Sequence, residues 1–161
     1  MSKKIHKIMA CVDFSDYTQM VLEYAVELAM DSKAEILVYN VINQRDVSMV
    51  GTVSKYAPDK ISVQGYVDGL VKDRQEMIDQ MINTHFMDEK PRIHFQIAVG
   101  IPYEEILKKI ETAAIDLVVM ANLGRGNIER MFFGSAAEKV FRHSPVPVVS
   151  VRNTKIAKKE R

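Results

Sequence analysis

Gly124-Arg125-Gly126 and, after nine residues counted from Gly124, Gly134-Ser135 are the residues of this chain best suited to holding a phosphate. Glycine lets main-chain N–H groups come close to a ligand and converge on it. A helix starting at Ser135 adds unpaired donors and the positive end of a dipole. The flanking sequence supplies both elements. Ile115-Asp116-Leu117-Val118-Val119-Met120 precedes the loop as a strand-like run, and Ala136-Ala137-Glu138-Lys139-Val140-Phe141 follows Ser135 in a helical pattern. Three of the seven glycines fall here, so the cluster stands above background. No Walker lysine follows the glycines, so the expected cradle is main-chain. Arg125 either pairs with a phosphate or faces solvent.

A second candidate is Asp13, just after the apolar run Ile8-Met9-Ala10-Cys11-Val12. It reads as a ligand contact or as a helix cap. Ser135 could equally cap its helix, a role compatible with phosphate binding. Cys11 reads as a buried strand residue rather than a nucleophile. His6, His85, His94 and His143 show no metal-ligand spacing. There is no nucleophile elbow and no arguable pair of catalytic carboxylates.

The length of 161 residues suggests one domain. Apolar content of 47% and charged content of 27% are ordinary for a globular chain. The net charge of +1 argues against nucleic-acid or membrane-surface binding. From Arg152 to Arg161 there are five basic residues and one acid, net +4, which leaves −3 on residues 1–151. We take 153–161 as a basic, solubilising tail and 1–152 as the domain. A single cysteine excludes an intrachain disulfide and fits a reducing compartment. Without a secretory apolar core or a transmembrane stretch, the chain is expected in the cytoplasm.

The elements that must position these residues alternate. Ile8–Val12 is a short apolar strand. Asp13-Phe14-Ser15-Asp16 breaks it and offers cap side chains for a helix over Tyr17–Met30. Ile36–Ile42 is the second strand. Residues 43–65 show no period, and they read as a long mobile loop. A helix over Tyr66–Phe86 would carry a stripe of Val67, Leu70, Val71, Met77, Ile78, Met81 and Ile82. Ile93–Val99 is the third strand. Gly100-Ile101-Pro102 turns into a helix whose face is Tyr103, Ile106, Leu107 and Ile110. The strand before the glycine loop, the helix Ser135–His143 and a last strand, 146–151, complete the series. Five strands and four helices imply an α/β fold: a single-domain, Rossmann-like, doubly wound five-stranded parallel sheet with helices on both faces. Asp13, Val41, Gly100 and 121–126 should then gather at one rim.

These residues together resemble the universal stress protein family over about residues 4–152. The family's loop has the form G-x-x-G-x9-G-[S/T], and here only its first glycine is replaced, by Ala121. Val12-Asp13-Phe14-Ser15, Val41, Gly100-Ile101-Pro102 and the closing run 142–149 support the likeness. The resemblance implies an adenine-nucleotide site: ATP, with ADP or AMP as alternatives and Mg2+ as companion cation. Within the turn Val12-Asp13-Phe14-Ser15, Asp13 would lie near the ribose and phosphates. Val41 would bond the adenine edge through its backbone. Met120 would line the base and sugar pocket. Ala121, Leu123 and Gly124 would wrap the ribose and phosphates, and Gly134, Ser135 and Ala136 would donate N–H groups to phosphate oxygens.

Ala121 matters in one of two ways. If the position needs positive φ, alanine costs about 1–2 kcal/mol; if glycine serves close approach, a methyl crowds the ribose. Reversion to glycine should tighten binding either way. At most slow ATP hydrolysis is expected, with Asp13 near bound phosphate. The function expected is a dimeric, ATP-binding stress sensor, the nucleotide ordering 43–65. The alternative is a stress-linked interaction protein that binds no nucleotide, a reading that Ala121 favours. A flavin-binding or phosphoacceptor domain fits poorly, because Asp13-Phe14-Ser15-Asp16 supplies neither loop. The apolar strand 146–151, with Pro147, suits a sheet edge. The resemblance implies that it pairs with its copy in a homodimer.

Overall fold

The computed structural model describes residues 4–122 and 135–152. Expectations for Leu123, Gly124, Arg125, Gly134 and the tail 153–161 lie outside these residues. The chain runs β1 (Lys7–Cys11), α1 (Thr18–Ala29), β2 (Glu35–Asn43), α2 (Gln44–Ser54) and α3 (Val63–His85). A 3-10 turn at Met87–Arg92 leads into β3 (Ile93–Gly100), and α4 (Pro102–Thr112), β4 (Leu117–Ala121), α5 (Ser135–His143) and β5 (Val148–Val151) follow. All four strand pairings are parallel, in the order β3-β2-β1-β4-β5.

Strand periodicity divides the core. Ile8, Ala10, Ile36 and Val38 face one side and pack with Leu22 and Ala25 of α1 and Ile78 and Ile82 of α3. Met9, Leu37, Tyr39 and Val118 face the other side, against Ile106 and Ile110 of α4 and Val140 of α5. Successive Cβ atoms alternate across a strand, so an unbroken apolar run is what a sheet covered on both faces requires. The sheet expected from sequence is therefore the one observed, with β5 at an edge.

Residues 43–65 need correction. They are no irregular connection: they hold α2 and the start of α3. The Asn43 side chain accepts the Arg45 N–H at 3.0 Å and caps α2. Only Val47 of α2 is buried, and Gly51, Thr52 and Val53 lower its intrinsic helix propensity. The Ser62 hydroxyl accepts the Gly65 N–H at 3.1 Å and starts α3 three residues before Tyr66. The buried line of α3 is Arg74, Ile78 and Ile82. Val71 and Met77, expected in its stripe, are 38% and 44% exposed. The last strand is shorter than expected. Pro147 precedes it, and its carbonyl accepts the Val118 N–H at 3.0 Å.

Candidate functional site

From β1 the chain winds outward to β2 and β3 under α1 and α3, then crosses to β4 and β5 under α4 and α5. The winding reverses between β1 and β4, and the crevice beyond their C-terminal ends is where open α/β sheets take ligands. That rim carries Val12–Ser15 after β1, Gly100 ending β3 and Ala121 ending β4. A helix that follows a parallel strand starts at the same rim, which places Ser135 and Ala136 there, with Ser135 exposed.

The turn after β1 is built around Asp13. One carboxylate oxygen accepts the Ser15 N–H at 3.0 Å, and the Ser15 hydroxyl accepts the Tyr17 N–H at 3.3 Å. The cap position of α1 is Tyr17, with no side-chain cap bond, so Asp13 shapes the turn rather than capping the helix. Phe14 has φ of 59°. Lys33 and Ala114 share that sign but follow the ends of α1 and α4, where left-handed residues are common. Phe14 is a bulky residue in a turn facing the crevice, where such a conformation costs about 1–2 kcal/mol.

Val41 lies two residues before the end of β2. The Val12 N–H bonds the Tyr39 carbonyl at 3.0 Å, so the Tyr39 main chain points toward β1. Val41, two residues on, points the same way. The β1–β2 register ends with Cys11 opposite Tyr39. Val41 thus presents an N–H and a C=O to the space beyond β1, while β3 covers the other side, with Ala98 opposite. Met120 is buried, set between Cys11 and Ser150. Ala121 is strand backbone opposite Val151 and is absent from the positive-φ residues. The conformational reason for expecting a penalty at Ala121 therefore does not apply; only crowding by its methyl remains.

Sequence reasoning missed two residues. Asn40 and Arg74 are buried, at 3% and 9% exposure. Asn40 Nδ2 donates to the Val12 carbonyl at 2.7 Å, and Arg74 Nη1 donates to Asn40 Oδ1. The Arg74 guanidinium lies 5.6 Å from the centre of the Phe14 ring, and the Phe14 and Phe95 rings meet edge to face with their centres 6.2 Å apart. The signal was present: an amide inside an apolar strand, and an arginine in register with Ile78 and Ile82.

On the opposite face burial pushes the Cys11 thiol up to about 12. Burial, then Glu105 and Cys11, raise the Tyr39 hydroxyl to about 12. Neither ionises near neutrality, which makes Cys11 a packing residue rather than a nucleophile. Among the described residues no group of three His, Cys, Asp or Glu is placed to hold a metal. No described helix is long and apolar enough to cross a membrane.

Comparison with known proteins agrees with this architecture. The sequence model of the Universal stress protein family matches residues 4–152. Universal stress protein MJ0577 of Methanocaldococcus jannaschii is 26% identical, covering 94% of this chain and 98% of the relative. The solved structure of the hypothetical protein MJ0577 superposes with a TM-score of 0.78 at 23% identity, over 94% of this chain and 98% of that one. The universal stress protein from Archaeoglobus fulgidus in complex with dAMP gives a TM-score of 0.60 at 18% identity, over 93% and 100%. A universal stress protein in complex with cAMP gives 0.58 at 18% identity, over 93% and 98%. The family match spans nearly the whole domain, and the chain belongs to the universal stress protein family.

Proposed function

We propose that the C-terminal rim binds an adenine nucleotide, ATP in the first instance, and that the protein is a nucleotide-responsive, dimeric stress regulator. The observation that carries this reading is the main-chain edge of Val41, which no strand covers beyond the end of β1 among the described residues. Adenine offers a ring-nitrogen acceptor beside an amino donor, and a strand's N–H and C=O complement that pair. Asp13 stands across the end of β1, where a ribose hydroxyl would meet a carboxylate. Ser135 and Ala136 open α5, whose N-terminus suits a phosphate. The base half of the site thus fits the described residues. Leu123, Gly124 and Gly134 would complete the phosphate half, with Mg2+ offsetting phosphate charge. The cAMP and dAMP complexes of the two relatives are consistent with an adenine ligand.

Calorimetric titration of Mg-ATP into ligand-stripped protein tests this directly. Saturable heat near one nucleotide per chain in the micromolar range is expected. Silence at several temperatures overturns it and favours the nucleotide-free interaction protein. We read β5 as the dimer surface, because its outer edge has no strand beside it among the described residues. Val149→Glu should then convert a dimer into a monomer by light scattering; a wild type already monomeric at micromolar concentration contradicts it. The free thiol of Cys11 suits a reducing cytoplasm.

A further inference from the structure

Asp13 is flanked by two residues that the same buried pair holds. On one side Val12 is fixed through its carbonyl by Asn40 at 2.7 Å, and Asn40 takes its second bond from Arg74. On the other side the Arg74 guanidinium covers the Phe14 ring at 5.6 Å. Phe14 is the turn residue in the left-handed region, at φ of 59°. A bulky residue stays in that conformation only when its surroundings over-determine it. Here the surroundings are Phe95 from β3 and Arg74 from α3. A guanidinium is costly to bury, and one that holds both flanks of a strained turn has a specific use for that cost.

We propose that Arg74 is a positioning residue of the nucleotide site: through Asn40 and Phe14 it holds the Asp13 carboxylate where a ribose or phosphate meets it, and so couples α3 to occupancy of the rim. This rests on the nucleotide-binding reading above. Without Arg74 the turn relaxes, and only the fraction of molecules that retain the strained conformation binds at full affinity. By linkage, nucleotide binding in turn tightens the seat of α3.

The test compares Arg74→Met, Arg74→Lys and a control, Arg92→Met. Arg92 donates to the Ala34 carbonyl at 2.6 Å and the Ala29 carbonyl at 3.5 Å, at the other end of the sheet. It is a part-buried arginine of similar chemistry with no path to Asp13. Mg-ATP affinity should fall about tenfold in Arg74→Met. Arg74→Lys keeps a cation near the ring but loses the planar fork, and about threefold is expected. Arg92→Met should lose stability while its Kd stays within about twofold. A second readout needs no nucleotide. The Ser15 amide, bonded to Asp13, should exchange with solvent faster in both Arg74 variants and unchanged in Arg92→Met. If Arg74→Met does not fold, Arg74→Lys carries both measurements. Unchanged affinity with unchanged Ser15 exchange overturns the proposal, as does equal weakening in Arg92→Met. If the wild type binds no Mg-ATP, the nucleotide reading and the proposed role fall together. Ser15 exchange then shows only whether Arg74 anchors the turn.

Discussion

The two ends of the sheet spend their polar groups differently. At the N-terminal end side chains close off main chain. The Asp116 carboxylate accepts the His6 and Lys7 N–H groups at 2.9 and 3.1 Å, while its own N–H bonds the Lys7 carbonyl at 2.9 Å. Arg92 satisfies the carbonyls of Ala29 and Ala34 and pairs with Glu89. At the C-terminal end no strand covers the β1-facing main chain of Val41 among the described residues, and a buried amide–guanidinium pair props up a strained turn. At one end side chains are turned onto main chain; at the other, among the described residues, a strained turn stands beside a strand edge that no strand covers. That asymmetry is what a ligand rim on a stable base requires.

The largest effect that can sharpen this contrast is alkaline. Cys11 and Tyr39, on neighbouring strands toward the C-terminal end, keep their protons when folded and release them sooner when unfolded. Their folded pKa values are raised above 9.0 and 10.0, to about 12. Stability is therefore complete below about pH 9 and falls as pH climbs through the window to 12. The Cys11 share of the slope is about 1.4 kcal/mol per pH unit. Denaturant melts from pH 8 to 11 should show the decline, and Cys11→Ala should delay its onset by about one pH unit, to where Tyr39 begins to titrate. A flat profile would mean that this part of the core is wet.

Next in size is Asp116→Ala. Removing an acceptor shared by two N–H groups should cost about 2 kcal/mol in chemical denaturation, since bonds to charged groups are the stronger ones. Nucleotide affinity should not change, because the loss is confined to the base. A matching loss of affinity would erase the distinction between the ends. The smallest effect is at the rim itself. Ala121→Gly should tighten Mg-ATP affinity by less than about threefold in calorimetry, because Ala121 already sits in ordinary strand geometry and only crowding by one methyl is relieved. Tightening of tenfold or more would mean that the methyl obstructs the site outright.

What the sequence made legible follows from what local patterns encode. Ile8–Val12 and Ile36–Ile42 read as strands because a sheet covered on both faces leaves its apolar run unbroken. Residues 135–143 read as a helix from their own apolar spacing. α2 was illegible because Gly51, Thr52 and Val53 are weak helix formers and only Val47 is buried; it is held by its cap at Asn43 and by its neighbours. The strand ends that make the rim were legible, but not their supports. Arg74 occupies a core position that an apolar-stripe reading assigns to aliphatic residues, and its partners Asn40 and Phe14 are 34 and 60 residues away in the chain. Pairings of that range are fixed by topology, which periodicity does not report. At Ala121 the sequence posed two explanations, and the backbone angle left only one.

The most direct test of the central claim is a Mg-ATP titration followed residue by residue in the 1H–15N spectrum. Saturable shifts at Ser15, Val41 and Ser135, with His6, Lys7 and Asp116 unmoved, are what a ligand rim above an inert base predicts. No shifts at millimolar nucleotide, or shifts centred on the His6–Asp116 end, would contradict it.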